Sequence, residues 1–161
     1  MGIYDNETIE EVQCNKYLAF LIDGQSYGID IKDVVEIISM QPISKVPEFA
    51  EYAKGIINLR GKVIPVVDVR ARFYLAESDY DSRTCIIINN INGIEIGFIV
   101  DSVQEVIDLE EEQIEEAPKL SSGYSHRFVS GVGKWNGKMV LLLDSQKMLG
   151  EQELDILGQA L

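Results

Sequence analysis

The chain repeats itself, and it does so at two offsets. A shift of 69 positions lays Gly24 on Gly93, Gly28 on Gly97, Val34 on Val103, Glu36 on Glu105 and Ile38 on Ile107. A shift of 76 lays Gly55 on Gly131, Gly61 on Gly137, Lys62 on Lys138 and Asp68 on Asp144. Both halves keep one order: an apolar hairpin, an x-Val-x-Glu-x-Ile stretch, a helix or loop, a second hairpin and a terminal Asp. The step between the offsets falls in the later loop, within residues 110–125. A supersecondary unit that occurs twice in order points to two similar small β-barrels in one chain.

Turn pairs between apolar runs write the hairpins. Residues 17–22 and 25–31 flank Asp23-Gly24, and Tyr27, Ile29 and Ile31 alternate with polar neighbours. Asn92-Gly93 separates residues 84–90 from 95–100, and Asn136-Gly137 separates 127–135 from 138–143. Such pairs suit the positive φ angles of a two-residue hairpin turn. The fourth hairpin uses Arg60-Gly61 between residues 55–59 and 62–67. Pro65 has no N–H to donate, which predicts an edge strand or a bulge there. Pro47 and Gly55 bracket a segment that predicts a two-turn helix over 47–54. Asp144 is expected to cap a terminal helix with Met148, Leu149, Leu154 and Leu157 as its apolar stripe, interrupted at Gly150. Residues 33–38 fit a helix or a strand equally well.

Composition bears mainly on what is excluded. With 161 residues a single domain buries roughly 70% of its unfolded surface, enough to fold without a disulfide or metal. Fourteen Lys and Arg against 27 Asp and Glu give a net charge of −13, which disfavours DNA or anionic membranes as partners bound through charge. No stretch approaches the ~20 apolar residues of a membrane span, and residues 1–12 lack the apolar run of a secretory signal. Cys14 and Cys85 read as reduced thiols, so a cytoplasmic protein is expected.

Catalytic motifs fail on context. Gly55-x5-Gly61-Lys62 and Gly131-x5-Gly137-Lys138 approach a phosphate loop, but they fall on hairpin turns where that loop must enter a helix. His126 could be joined to Ser122 or Ser125, yet no nucleophile elbow is present. The acidic run 108–116 lacks the spacing that wraps Ca²⁺, so it reads as a solvated segment pinned by Leu109 and Ile114. No catalytic residue, metal or cofactor is expected. Residues 54–72 invert the overall charge: Lys54, Arg60, Lys62, Arg70 and Arg72 face one acid, Asp68. These cations either offset acids elsewhere in the fold or serve recognition. Arg60 favours recognition, because Asn, Asp or Gly would sit more easily in its turn.

The stretch Gly55-Ile-Ile-Asn-Leu-Arg-Gly-Lys-Val-Ile-Pro-Val-Val-Asp68 closely resembles the signature of the CheW-like family of bacterial chemotaxis coupling proteins. Tyr27-Gly-Ile-Asp-Ile31 with Val35-Glu-Ile37, and Gly97-Phe-Ile-Val-Asp-Ser-Val103, resemble the family in the family's order. The resemblance covers about residues 16–150. It implies an all-β fold of two intertwined five-stranded SH3-like barrels with few short helices. The expected division is a tail over 1–15, one domain over 16–150 with sub-barrels near 16–82 and 83–150 exchanging strands, and a helical tail over 144–161.

By the same resemblance the chain is a non-enzymatic adaptor. Its partners would be the cytoplasmic hairpin tip of chemoreceptors and the regulatory domain of the histidine kinase CheA. Val34, Glu36, Gly55 and Arg60 match positions tied to coupling, and Asn58 and Gly61 complete the Arg60 motif. Leu18, Ile31, Val34 and Ile37 match an apolar receptor-facing groove, although apolar strand residues are also what a core requires. A kinase tail or receiver fusion fits less well than a stand-alone adaptor, cytoplasmic, monomeric in isolation and recruited to receptor arrays. The other readings are a small-molecule-binding β-barrel and an adaptor of a non-flagellar pathway.

Overall fold

A computed structural model describes residues 15–47, 49–116 and 127–159; Cys14, Ser122, Ser125 and His126 lie outside them. The first half supplies β1 (Lys16–Ile22), β2 (Gln25–Asp30), β3 (Val34–Ser39), β4 (Ala53–Leu59) and β5 (Lys62–Asp68). The second supplies β6 (Cys85–Ile91), β7 (Ile94–Val100), β8 (Ser102–Asp108), β9 (Ile114–Glu116), β10 (Val129–Trp135) and β11 (Lys138–Leu143). Among the described residues three short helices follow the hairpins: α1 (Val69–Arg72), α2 (Ser145–Met148) and α3 (Glu151–Gln159). Strands β6 and β7 begin 69 positions after β1 and β2, and β10 and β11 begin 76 after β4 and β5. The terminal Asp of each repeat caps a helix: Asp68 accepts from the Arg70 N–H at 2.9 Å and Asp144 from the Gln146 N–H at 3.0 Å.

The halves are interleaved. One sheet has the order β8-β1-β2-β11-β10-β9, the other β3-β6-β7-β5-β4. Each sheet therefore joins two hairpins from different halves through a parallel pair, β2 with β11 and β5 with β7. Strand β3 of the first half pairs with β6 of the second, while β8 of the second pairs with β1 of the first. Both pairs carry a bulge at equivalent places, next to Val34 and next to Val103. Each sheet also returns on itself. The chain leaves edge strand β8 and comes back as β9 on β10; it leaves β3 and comes back as Ser44, bridged to Ile56 of β4. The sixth strand of the first sheet is thus a lengthened form of the Ser44 bridge in the second.

The inner strands bury both faces, which is why β1, β5, β6 and β7 read as nearly continuous apolar runs. On β6, Ile87 and Ile91 enter a large core shared by the sheets, whereas Ile86 and Ile88 enter a cluster private to one sheet with Ile57, Ile64 and Val66. On the other sheet Leu18, Phe20 and Ile22 face the shared core, and Ala19 joins Ile107, Leu109, Val140 and Leu142. Ile114 packs on that last cluster, so the acidic segment is pinned as its sequence predicts.

Two local expectations are corrected. The helix over 47–54 does not form. Val46 to Phe49 and Ala50 to Ala53 close two successive turns, at 3.1 and 2.9 Å, and Ala53 already opens β4. Proline and glycine bracket a pair of turns as readily as a helix. Pro65 is not in an edge strand, since β5 lies between β7 and β4. Leu59 and Lys62 close the hairpin, so alternation makes Ile56–Pro65 a non-hydrogen-bonded pair. The missing N–H faces away from β4, on the side where pairing with β7 starts only at Val66. The ambiguous 33–38 segment is chiefly strand β3, entered from a 3₁₀ turn over Ile31–Asp33.

Candidate functional site

The Arg60 turn is built for a left-handed backbone. Arg60 has φ 53° and Gly61 φ 84°, and the Asn58 side-chain oxygen accepts from the Gly61 N–H at 2.9 Å. The other hairpins place Asp23, Asn92 and Asn136 where Arg60 stands, at φ 51°, 53° and 49°. Asn136 is the residue 76 positions on from Arg60. The duplicated unit therefore makes this turn without arginine, and a non-glycine residue of ordinary chemistry there costs about 1–3 kcal/mol.

The Arg60 side chain is 70% exposed, and its Nη2 donates to both carboxylate oxygens of Glu36 at 2.8 Å. At that exposure the ion pair contributes roughly 0–1 kcal/mol, too little to be its reason for being there. Beside it Lys62 meets Glu95 at 3.0 Å. The two ion pairs rim a shallow hollow with Val35 and Leu59 at its sides and buried Ile88 at its floor. The site thus presents paired charges around a small apolar depression at one end of the second sheet.

The residues expected to form one groove are divided by the fold. Leu18 is 2% exposed within the shared core, so it lines no surface. Ile31 and Val34 are half-buried against the same core. Ile37 is 44% exposed on the outer face of β3, and Val35, which the sequence reading passed over as a site residue, is 49% exposed beside it. Period-2 alternation puts Val35 on the same face as Ile37, and that is the signal in the sequence that points to it. Gly55 is buried and does not line the hollow; it packs on the Ser44 backbone, and a Cβ there would sit inside the Ser44 carbonyl. Glu36, Asn58, Arg60 and Gly61 do come together at the turn.

The basic stretch 54–72 is less distinctive in three dimensions. Every cation in it meets an acid: Lys54 with Glu77, Arg60 with Glu36, Lys62 with Glu95, Arg70 with Asp101 and Arg72 with Glu153. Arg60 and Lys62 alone among these keep most of the side chain in solvent. Among the described residues no three His, Cys, Asp or Glu side chains converge as a metal site requires, and no helix is long and apolar enough to cross a membrane.

The CheW-like domain matches residues 16–153. A "Chemotaxis protein CheW" from Klebsiella aerogenes is 32% identical over 139 residues, 86% of this chain and 84% of that protein. Its namesake in Bacillus subtilis is 33% identical over 137 residues, 85% and 88% of the two chains. The crystal structure of the scaffolding protein TtCheW from Thermoanaerobacter tengcongensis superposes with a TM-score of 0.79 at 37% identity, covering 86% of this chain and 94% of that one.

Proposed function

The chain belongs to the CheW-like domain family, and on that premise we propose that it is a chemotaxis scaffold that couples the cytoplasmic tips of chemoreceptors to the histidine kinase CheA. It contributes binding and no turnover of its own. The observation that carries this reading is Arg60, a solvent-exposed arginine in a left-handed turn position that the other repeat fills with Asn136. A guanidinium fixed on a rigid hairpin reads a carboxylate, and Glu36 aims it by engaging one nitrogen from the side.

The docking mode is helix on groove. Val35 and Ile37 are two residues apart on a strand, about 6.6 Å, which matches the rise of about 6 Å between positions i and i+4 of a helix. One face of a receptor helix can therefore cover both while an acid on its flank meets Arg60. The kinase's regulatory domain is a second partner, and coupling localises the chain to receptor arrays.

The test is receptor-dependent ATP consumption by the kinase with Arg60→Glu, Glu36→Arg and the exchanged double variant. All three are expected to fold and to fail in activation, because the exchange restores the internal ion pair but presents the partner with the wrong charge. Full rescue by the exchange would mean Arg60 serves only the internal pair, and would remove this reading.

A further inference from the structure

A second face, formed by the end of α1, residues 49–53 and α3, takes no part in that reading. Two hollows of about 250 and 430 Å³ meet there and share Ala50 and Tyr52. Phe49 and Leu157 line the first, Ala71 and Leu75 the second. On α3, Leu154 and Leu157 are buried while Ile156 stands at the rim of the first hollow, 52% exposed. Tyr74 stands over the second, 65% exposed, at φ 58°. Its N–H bonds the Ala71 carbonyl at 3.1 Å, and that of Leu75 bonds Arg70 at 2.9 Å. This is a helix-ending position that glycine or asparagine fills most easily. Tyr74 thus sets a large, mostly exposed ring at a backbone position unfavourable to a side chain.

The floor is rigid. The Arg72 guanidinium lies 4.5 Å from the Tyr52 ring centroid and 4.7 Å from that of Phe128, and its Nε donates to the Met148 carbonyl at 2.6 Å. Charge around the groove is sorted by depth. Lys54 and Arg72 are drawn inward, with side chains 27% and 13% exposed, and are engaged by Glu77 and Glu153. Glu51 and Glu77, which line the second hollow, face solvent. Outward charge is thus acidic over an apolar, aromatic floor. A second copy of this chain, with net charge −13, is the wrong occupant, and so is an anionic bilayer.

We propose that this groove docks a cationic amphipathic helix of a partner protein. One large apolar side chain enters between Phe49 and Ile156, a second packs on Tyr74, and flanking Lys or Arg meet Glu51 and Glu77. The test titrates the isotopically labelled full chain with a helical Leu/Lys peptide and, separately, with a Leu/Glu peptide of the same length. Saturable NMR shifts centred on Ala50, Tyr52, Tyr74 and Ile156 are expected with the Leu/Lys peptide alone. Tyr74→Gly and Ile156→Ser should each weaken binding by about tenfold or more. Tyr74→Gly relieves a positive φ, so an unchanged or raised melting temperature separates lost docking from misfolding. Absence of saturable binding would overturn the proposal. So would shifts spread over the acidic surface, or an affinity that both substitutions leave unchanged.

Discussion

Replacing Gly55 by alanine should damage the protein through one carbonyl group. Gly55 has φ 147°, and a Cβ there would overlap the Ser44 oxygen, lie 2.8 Å from its carbonyl carbon and press on Ile43 at 3.0 Å. The obstacle is backbone, so no rotamer change relieves it. Ser44 must retreat, breaking the two 2.9 Å hydrogen bonds it exchanges with Ile56, each worth about 1 kcal/mol net. The unfavourable φ adds about 1–3 kcal/mol, for a total near 3–5 kcal/mol. At about 2–4 °C per kcal/mol for a domain of this size, the melting temperature should fall on the order of 10 °C. The duplicated unit supplies the control. Gly131 occupies the equivalent bulge without a positive φ, and its Cβ would stand 3.0 Å from the Glu115 carbonyl. Gly131→Ala should therefore cost about 1 kcal/mol. Thermal and urea unfolding, followed by circular dichroism and Trp135 fluorescence, measure both. A Gly55→Ala protein that melts like the wild type, or no lower than Gly131→Ala, would refute the reasoning. Loss of kinase coupling in a Gly55→Ala protein of undiminished stability would refute the claim that Gly55 acts only through the fold.

Two further substitutions probe charge inside the fold. Burial raises the Asp33 carboxyl pKa despite a hydrogen bond from Ser145. The folded state then binds that proton more tightly than the unfolded one, so this stability is present below about pH 4 and lost as pH rises through the folded value. Asp33→Asn should melt higher than wild type at about pH 7, with the gap closing in acid; a gap that is constant across pH would exclude this cause. Asp101 accepts two bonds from Arg70, at 2.9 and 3.0 Å, while Asp23 accepts a third at 3.2 Å. Asp101→Asn should cost about 1.5–3 kcal/mol in urea unfolding, more than Gln146→Ala, which removes the neutral Gln146–Asn92 bond at the equivalent junction. Equal costs for the two would show that charge adds nothing there.

Much of the architecture could be read from punctuation. Asp23-Gly24, Arg60-Gly61, Asn92-Gly93 and Asn136-Gly137 all sit at positive φ in two-residue turns, because few residue pairs tolerate that backbone. Residues 47–54 misled for the converse reason, since Pro47 and Gly55 limit a segment without specifying what lies between. The site was legible in part. Arg60 stood out because the turn is local, but its partner Glu36 is 24 residues away and reaches it only after β3 swings to the far edge of the sheet. Leu18 and Ile37 look alike in sequence, and what separates them is the sheet packed over Leu18. Pattern within a strand gives the alternation of its faces; it does not say which face another layer will cover.

The parallel pairing of β2 with β11 also fixes when the protein can fold during synthesis. One sheet is completed by a hairpin from near the start of the described chain and another from near its end. A nascent chain emerging from the ribosome therefore holds the outer edge of β2 unpaired until β11 follows. The first five strands cannot mature as a domain in the meantime, because β3 and β5 both await β6 and β7. The second sheet has all its strands once β7 has emerged at Val100, whereas the first waits for β11, which ends at Leu143.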